Sequence, residues 1–102
     1  MESIVITGPK IVEMIESPIP QIGPEDILIK IKYIGLCGSD LKTYIGTLTL
    51  AKYPVIPGHE ISGEIEALGN KVPKGYSQGD RVTVVPYFNC GKCSACVKRR
   101  PN

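Results

Sequence analysis

Apolar and polar residues alternate over several short stretches of this chain, with the two-residue period of half-buried strands. In residues 26–34, Ile27, Ile29, Ile31 and Tyr33 share one face, with Lys30 and Lys32 on the other. Leu28 and Ile34 join the second face, so that face is only partly wet. In residues 60–68, Ile61, Gly63, Ile65 and Ala67 oppose Glu60, Ser62, Glu64 and Glu66. Residues 3–7 and 10–16 are shorter runs rich in apolar positions, and residues 81–85 form a β-branched run after a Gly79-Asp80 turn. Five strands are therefore expected. One short helix fits residues 39–45, with Ser39 or Asp40 as its N-cap. The 11 glycines and 9 prolines are spread along the 102 residues and separate the runs. The pattern predicts a mainly β, partly closed barrel with one or two short helices. It contains no repeat, no low-complexity tract and no Gly-x-Gly-x-x-Gly, so no dinucleotide-binding fold is expected within these residues.

Composition narrows the classes. With 42% apolar and 22% charged residues the chain reads as globular, not disordered. A domain this small buries only about 60–65% of the surface its unfolded chain exposes, so its core is thin and staples would help. A net charge of +2 is too weak to argue for nucleic acid or a membrane surface. The N-terminus lacks the basic and apolar regions of a signal peptide. No apolar run approaches the roughly 20 residues that span a bilayer. A cytoplasmic location is expected, and in a reducing compartment clustered thiols more often bind metal than pair as disulfides.

Three groups of residues carry candidate chemistry. The only histidine, His59, stands in Gly58-His59-Glu60. A glycine precedes it, as where backbone approaches something closely, and a carboxylate follows. Cys37 opens Cys37-Gly38-Ser39-Asp40, after one strand run and before the expected helix. Alone, Cys37 would read as a small buried hydrophobe, and Ser39 and Asp40 as helix caps. The third group is Cys90-Gly91-Lys92-Cys93-Ser94-Ala95-Cys96, two Cys-x-x-Cys steps sharing Cys93. Such spacing lets thiolates converge on one ion; a redox pair or a disulfide is the competing reading.

Gly58, His59, Glu60, Gly63, Gly69 and Val72 together resemble the signature of zinc-containing medium-chain alcohol and polyol dehydrogenases at every fixed position. The resemblance runs from about residue 26 to 102 and includes Gly79-Asp80-Arg81-Val82. Tyr53-Pro54-Val55-Ile56-Pro57 looks like the polyol and threonine dehydrogenase branch. The resemblance implies that residues 1–102 are the N-terminal part of a GroES-like catalytic domain, with the Rossmann cofactor domain lying outside this chain. It implies Cys37 and His59 as catalytic zinc ligands, Ser39 as proton relay and Asp40 as the acid that holds His59. Glu60 resembles the third ligand of some polyol-type members; in others that ligand comes from beyond Asn102.

Cys90, Cys93 and Cys96 resemble a structural-zinc lobe whose fourth cysteine falls eight positions after the third. The run Arg100-Pro101-Asn102 resembles the family's approach to that cysteine. Lacking a fourth thiol, the lobe of residues 90–102 is expected to be disordered or to hold metal poorly. Lys92, Lys98, Arg99 and Arg100 would offset the negative charge of a zinc–thiolate cluster. The implied cofactors are zinc, catalytic and structural, and NAD or NADP on the absent domain. The implied partner is a small alcohol or polyol, and the implied full-length state a homo-oligomer. Apolar surface left bare where the rest of such an enzyme packs would favour self-association. A free-standing co-chaperonin-like binder or a small zinc-binding module also fits the length, but neither uses Cys37 and His59.

Overall fold

A computed structural model describes residues 1–100. Strand β1 (Glu2–Gly8) turns through Pro9 and Lys10 into β2 (Ile11–Glu16), and the two pair antiparallel. Lys10 has a φ of 62°, a turn conformation, which starts β2 one residue later than the apolar pattern suggests. Strand β3 (Ile27–Gly35) leads directly into helix α1 (Gly38–Ile45). A long connection then reaches β4 (Glu60–Leu68), followed by β5 (Arg81–Thr83) and the short helix α2 (Ser94–Val97). The second sheet has the order β3-β4-β5, antiparallel throughout.

The architecture is mainly β with two short helices, as expected. The strands form two separate sheets, joined by the bridge between Ile6 and Val55. Strand β5 stops at Thr83, two residues short of the expected run. The Thr83 hydroxyl donates to the Ile61 carbonyl at 2.7 Å, occupying the next acceptor along β4, and Pro86 follows without a donor.

The helix begins at Gly38, and its N-cap is Cys37, not Ser39 or Asp40. Asp40 reaches back from the first turn to the Cys37 backbone N–H, which fixes the start one residue earlier. Gly46, in the left-handed region, closes the helix.

The apolar core is small. Val5, Ile6 and Ile65 are its buried members. Ile65 lies on the expected inner face of β4. On β3 the matching face is covered only in part: Ile27 and Ile29 are half-buried, while Ile31 and Tyr33 are exposed, because no described element covers them. The molecule is a slab of 43 × 39 × 20 Å with a radius of gyration of 16.3 Å. A compact chain of this length would have about 13 Å.

Candidate metal centre

The site is built where β3 hands over to α1. The Cys37 side chain accepts from the Ser39 backbone N–H at 3.4 Å, while Asp40 Oδ2 accepts from the Cys37 N–H at 3.0 Å. These reciprocal bonds form a capping box and fix both side chains on the first turn. The second Asp40 oxygen, Oδ1, accepts from the Gly58 N–H at 3.2 Å. One carboxylate therefore ties the helix start to the loop that delivers His59. Gly58 has a φ of 97°, and a Cβ there would stand 2.5 Å from Ile34 Cγ2. Only glycine lets the loop pass this close to β3.

His59 Nε2 lies 3.2 Å from Cys37 Sγ, and Nδ1 lies 3.6 Å from Asp40 Oδ1. Ser39 Oγ sits 2.8 Å from the same sulfur. Ligand atoms of Cys37, Asp40 and His59 all fall within 4.8 Å of one another. Asp40 is buried, which pushes its carboxyl pKa up. The backbone N–H groups of Cys37 and Gly58, the His59 charge and the Cys37 side chain pull it down further, and the net direction is below the usual carboxylate value.

Glu60 does not join this cluster. It is the first residue of β4, paired with Gly35, and its carboxylate lies over that glycine, 2.8 Å from where a Cβ would stand. Pairing with β3 turns its side chain across the ladder while His59, just before the strand, faces Cys37. The structure thus brings Cys37, Ser39, Asp40 and His59 together and leaves Glu60 outside.

The donors suit zinc. One thiol sulfur and one imidazole nitrogen are the ligand types that ion takes. Zinc bonds of about 2.3 Å to sulfur and about 2.05 Å to nitrogen would give a tetrahedral S···N edge of about 3.6 Å. The observed 3.2 Å needs only a few tenths of an ångström of opening.

The second centre lies at the end of the described chain. Gly91, with φ 70°, turns the backbone so that the Cys93 N–H points at Cys90 Sγ, 3.3 Å away. Cys93 then caps α2, which carries Cys96. The Cys90–Cys96 and Cys93–Cys96 sulfur separations are 3.8 and 3.5 Å. A tetrahedral zinc–thiolate edge is about 3.8 Å, so these three also fit. The Lys92 backbone N–H, with bonds from Cys93 and Cys96, lowers the Cys90 thiol from 9.0 to about 7. All four cysteines are free.

Within the lobe, backbone hydrogen bonds shape residues 93–100. Val97 N–H donates to Cys93 O at 3.0 Å and Lys98 N–H to Ser94 O at 3.1 Å, which closes α2. Of the run read as leading to a fourth cysteine, Pro101 and Asn102 lie outside the described residues.

Two residues of the site carried no chemical signal in the sequence. Thr43 is buried, and its hydroxyl donates to the Ser39 carbonyl at 2.9 Å. Tyr53 donates its hydroxyl to the Thr43 carbonyl at 2.5 Å. In the sequence Tyr53 stands out only as the first residue of the Tyr53-Pro54-Val55-Ile56-Pro57 run.

Residues 23–102 match the model of the alcohol dehydrogenase GroES-like domain, and the chain belongs to that family. It is 40% identical over 102 residues to a zinc-type alcohol dehydrogenase-like protein of Haemophilus influenzae, covering 100% of this chain and 30% of that one. It is also 40% identical over 106 residues to the sorbitol dehydrogenase of Bacillus subtilis, with the same coverages. An alcohol dehydrogenase structure from Escherichia coli CFT073, complexed with NADH, superposes with a TM-score of 0.85. It is 39% identical and covers 99% of this chain and 29% of that chain. The chain thus spans about 30% of the length of the relatives it matches. No helix among the described residues is long and apolar enough to cross a membrane.

Proposed function

We propose that this chain is the N-terminal part of the catalytic domain of a zinc-dependent dehydrogenase, which moves hydride between a secondary alcohol or polyol and NAD or NADP. The observation that carries the reading is the meeting of Cys37 Sγ and His59 Nε2 at 3.2 Å, with Ser39 Oγ 2.8 Å from the sulfur. Its support is the family match and the names of the relatives. The cofactor domain lies in the remainder of the parent protein, as does the third protein donor to the catalytic ion.

When bound, zinc would polarise the alcohol oxygen and make its proton acidic. Ser39 stands beside the sulfur ligand, where its hydroxyl would receive that proton and pass it outward. Asp40 faces His59 Nδ1, which keeps the proton on that nitrogen and leaves the Nε2 lone pair for the metal. Cys90, Cys93 and Cys96 would hold a structural zinc with a fourth cysteine from the parent. The parent acts in the cytoplasm as a homo-oligomer on a small-molecule substrate. Lys92, Lys98, Arg99 and Arg100 serve the thiolate cluster, not nucleic acid.

The test begins with the source gene past the codon for Asn102. A cysteine at the second following codon and a later strand leading into Gly-x-Gly-x-x-Gly are expected. In the full-length protein, Cys37→Ser should abolish turnover while the circular dichroism stays unchanged. Undiminished turnover in that variant would sink the proposal.

A further inference from the structure

The connection between α1 and β4 brings His59 to Cys37, and the Asp40 carboxylate is not its only anchor. Asp40 grips its last link, at Gly58, through a bond of 3.2 Å. Further back, residues 53–57 form a strap held at two points. Val55 exchanges both backbone bonds with Ile6 on β1, at 2.8 and 2.9 Å. Tyr53, two residues earlier, crosses to α1 with its hydroxyl and donates to the Thr43 carbonyl at 2.5 Å. Thr43 in turn donates its side-chain hydroxyl to the carbonyl of Ser39. Two hydrogen bonds therefore link the strap to the turn of helix that carries Cys37, Ser39 and Asp40.

We infer that Tyr53 is a positioning residue for the metal centre: its hydroxyl fixes the strap that sets where His59 meets Cys37. The inference rests on the reading of Cys37 and His59 as metal ligands. The half-buried ring contributes ordinary packing, and only its polar tip reaches the helix. Removing that tip leaves the Thr43 carbonyl with the Gly46 N–H at 3.1 Å, so the helix keeps its own closure. The strap loses one of its two anchors. The effect therefore belongs to the position of His59, not to the survival of the fold.

The test is cobalt(II) titration of the full-length parent protein, which supplies the remaining donors of both centres, read by thiolate-to-cobalt absorption. Cys37→Ser assigns the signal of the Cys37–His59 centre, and the Cys90–Cys93–Cys96 centre serves as an internal control. Tyr53→Phe should weaken cobalt at Cys37–His59 about tenfold, the low end for a group that supports a ligand from behind. Cobalt at the three-cysteine centre should bind as before. Equal affinity at Cys37–His59 in the two chains would overturn the inference and reduce Tyr53 to packing. Absence of cobalt at Cys37 and His59 in the unsubstituted chain would overturn the metal reading, and this inference with it.

Should Tyr53→Phe fail to fold, trifluorotyrosine at position 53 keeps the shape and loses its donor proton on ionising at mildly acidic to neutral pH. Cobalt affinity relative to the unmodified chain should then fall across that ionisation. A constant ratio would count against the role as firmly.

Discussion

Asp40 is the residue on which the site turns, because its two oxygens serve two different segments. One caps α1 and the other holds Gly58. Hydrogen bonds to an ionised group contribute roughly 1.5–3 kcal/mol each in favourable settings. Asp40→Ala should therefore destabilise the chain by about 2–3 kcal/mol in a denaturant titration, through two backbone donors left without a partner. A loss under about 0.5 kcal/mol, the range of an ordinary surface change, would contradict this. The pH dependence follows from the sign of the shift. The folded state holds the Asp40 pKa below its ordinary 3.8, so its contribution is complete above that value. It fades as pH falls through the folded value, and Asp40→Asn should flatten that acid limb of the stability curve. Cys90 behaves differently, being exposed and lowered to about 7 from 9.0 by the Lys92 N–H and its neighbours. In the metal-free chain, iodoacetamide should label Cys90 with a midpoint near pH 7, well before an unstructured thiol. Its contribution to the lobe is complete above 9.0 and lost as pH falls through about 7. The cysteine triplet was legible from its spacing, and Cys37 and His59 through the motifs that resemble the dehydrogenase signature, whereas their meeting at 3.2 Å came only with the fold. Tyr53 was not, because a tyrosine hydroxyl bonding a backbone carbonyl ten residues away leaves no pattern in the chain.

At the scale of elements, the glycines of the Gly58–Val72 signature have steric reasons the spacing alone does not give. Gly63 sits where β4 crosses β3, and a Cβ there would stand 2.5 Å from the Lys30 carbonyl oxygen and 2.7 Å from Ile29 Cγ2. Gly69 is tighter still, wedged against the carbonyls of Gly23 and Pro24. Its own N–H bonds to Asp26 O at 2.9 Å, which closes the end of the β3-β4 ladder. Gly69→Ala should cost about 3 kcal/mol, since the obstructing atoms are backbone and cannot rotate away. That corresponds to a fall in Tm of roughly 12–24 °C for a domain of this size. Gly38→Ala is the control: a Cβ there meets nothing within 4 Å, and the change should be neutral or slightly stabilising. Equal melting temperatures for the two variants would remove the steric account. The strands of β3 and β4 were legible from alternation, and α1 from the capping residues Ser39 and Asp40 at its start. The ends were less so. The N-cap moved to Cys37 because the capping box depends on which side chain reaches back, and β5 was cut short by the Thr83 hydroxyl. Helix α2 spans only four residues, too few for any period to register.

The whole molecule is an open slab, and its shape makes a thermodynamic argument. Val5, Ile6 and Ile65 are a small core for 102 residues, while Leu36, Leu50, Tyr33 and Phe88 stand in solvent, the last fully. A groove of about 640 Å³ lies beside Cys37, walled by Ile4, Val12, Leu36, Leu41 and Tyr44. Each large apolar side chain left bare forgoes about 1.5–3 kcal/mol of burial. The opposing entropy of ordering the backbone is the same whether or not the faces are covered. Such a chain has every reason to cover these faces with another copy, and with only +2 of net charge little repulsion stands in the way. Sedimentation velocity should therefore show mass rising with protein concentration, and 1-anilinonaphthalene-8-sulfonate should fluoresce strongly with the chain. Because the driving force is apolar and not ionic, raising the salt concentration should strengthen association instead of weakening it. A single monomeric boundary at every concentration, with no dye response, would mean that the slab closes on itself in solution.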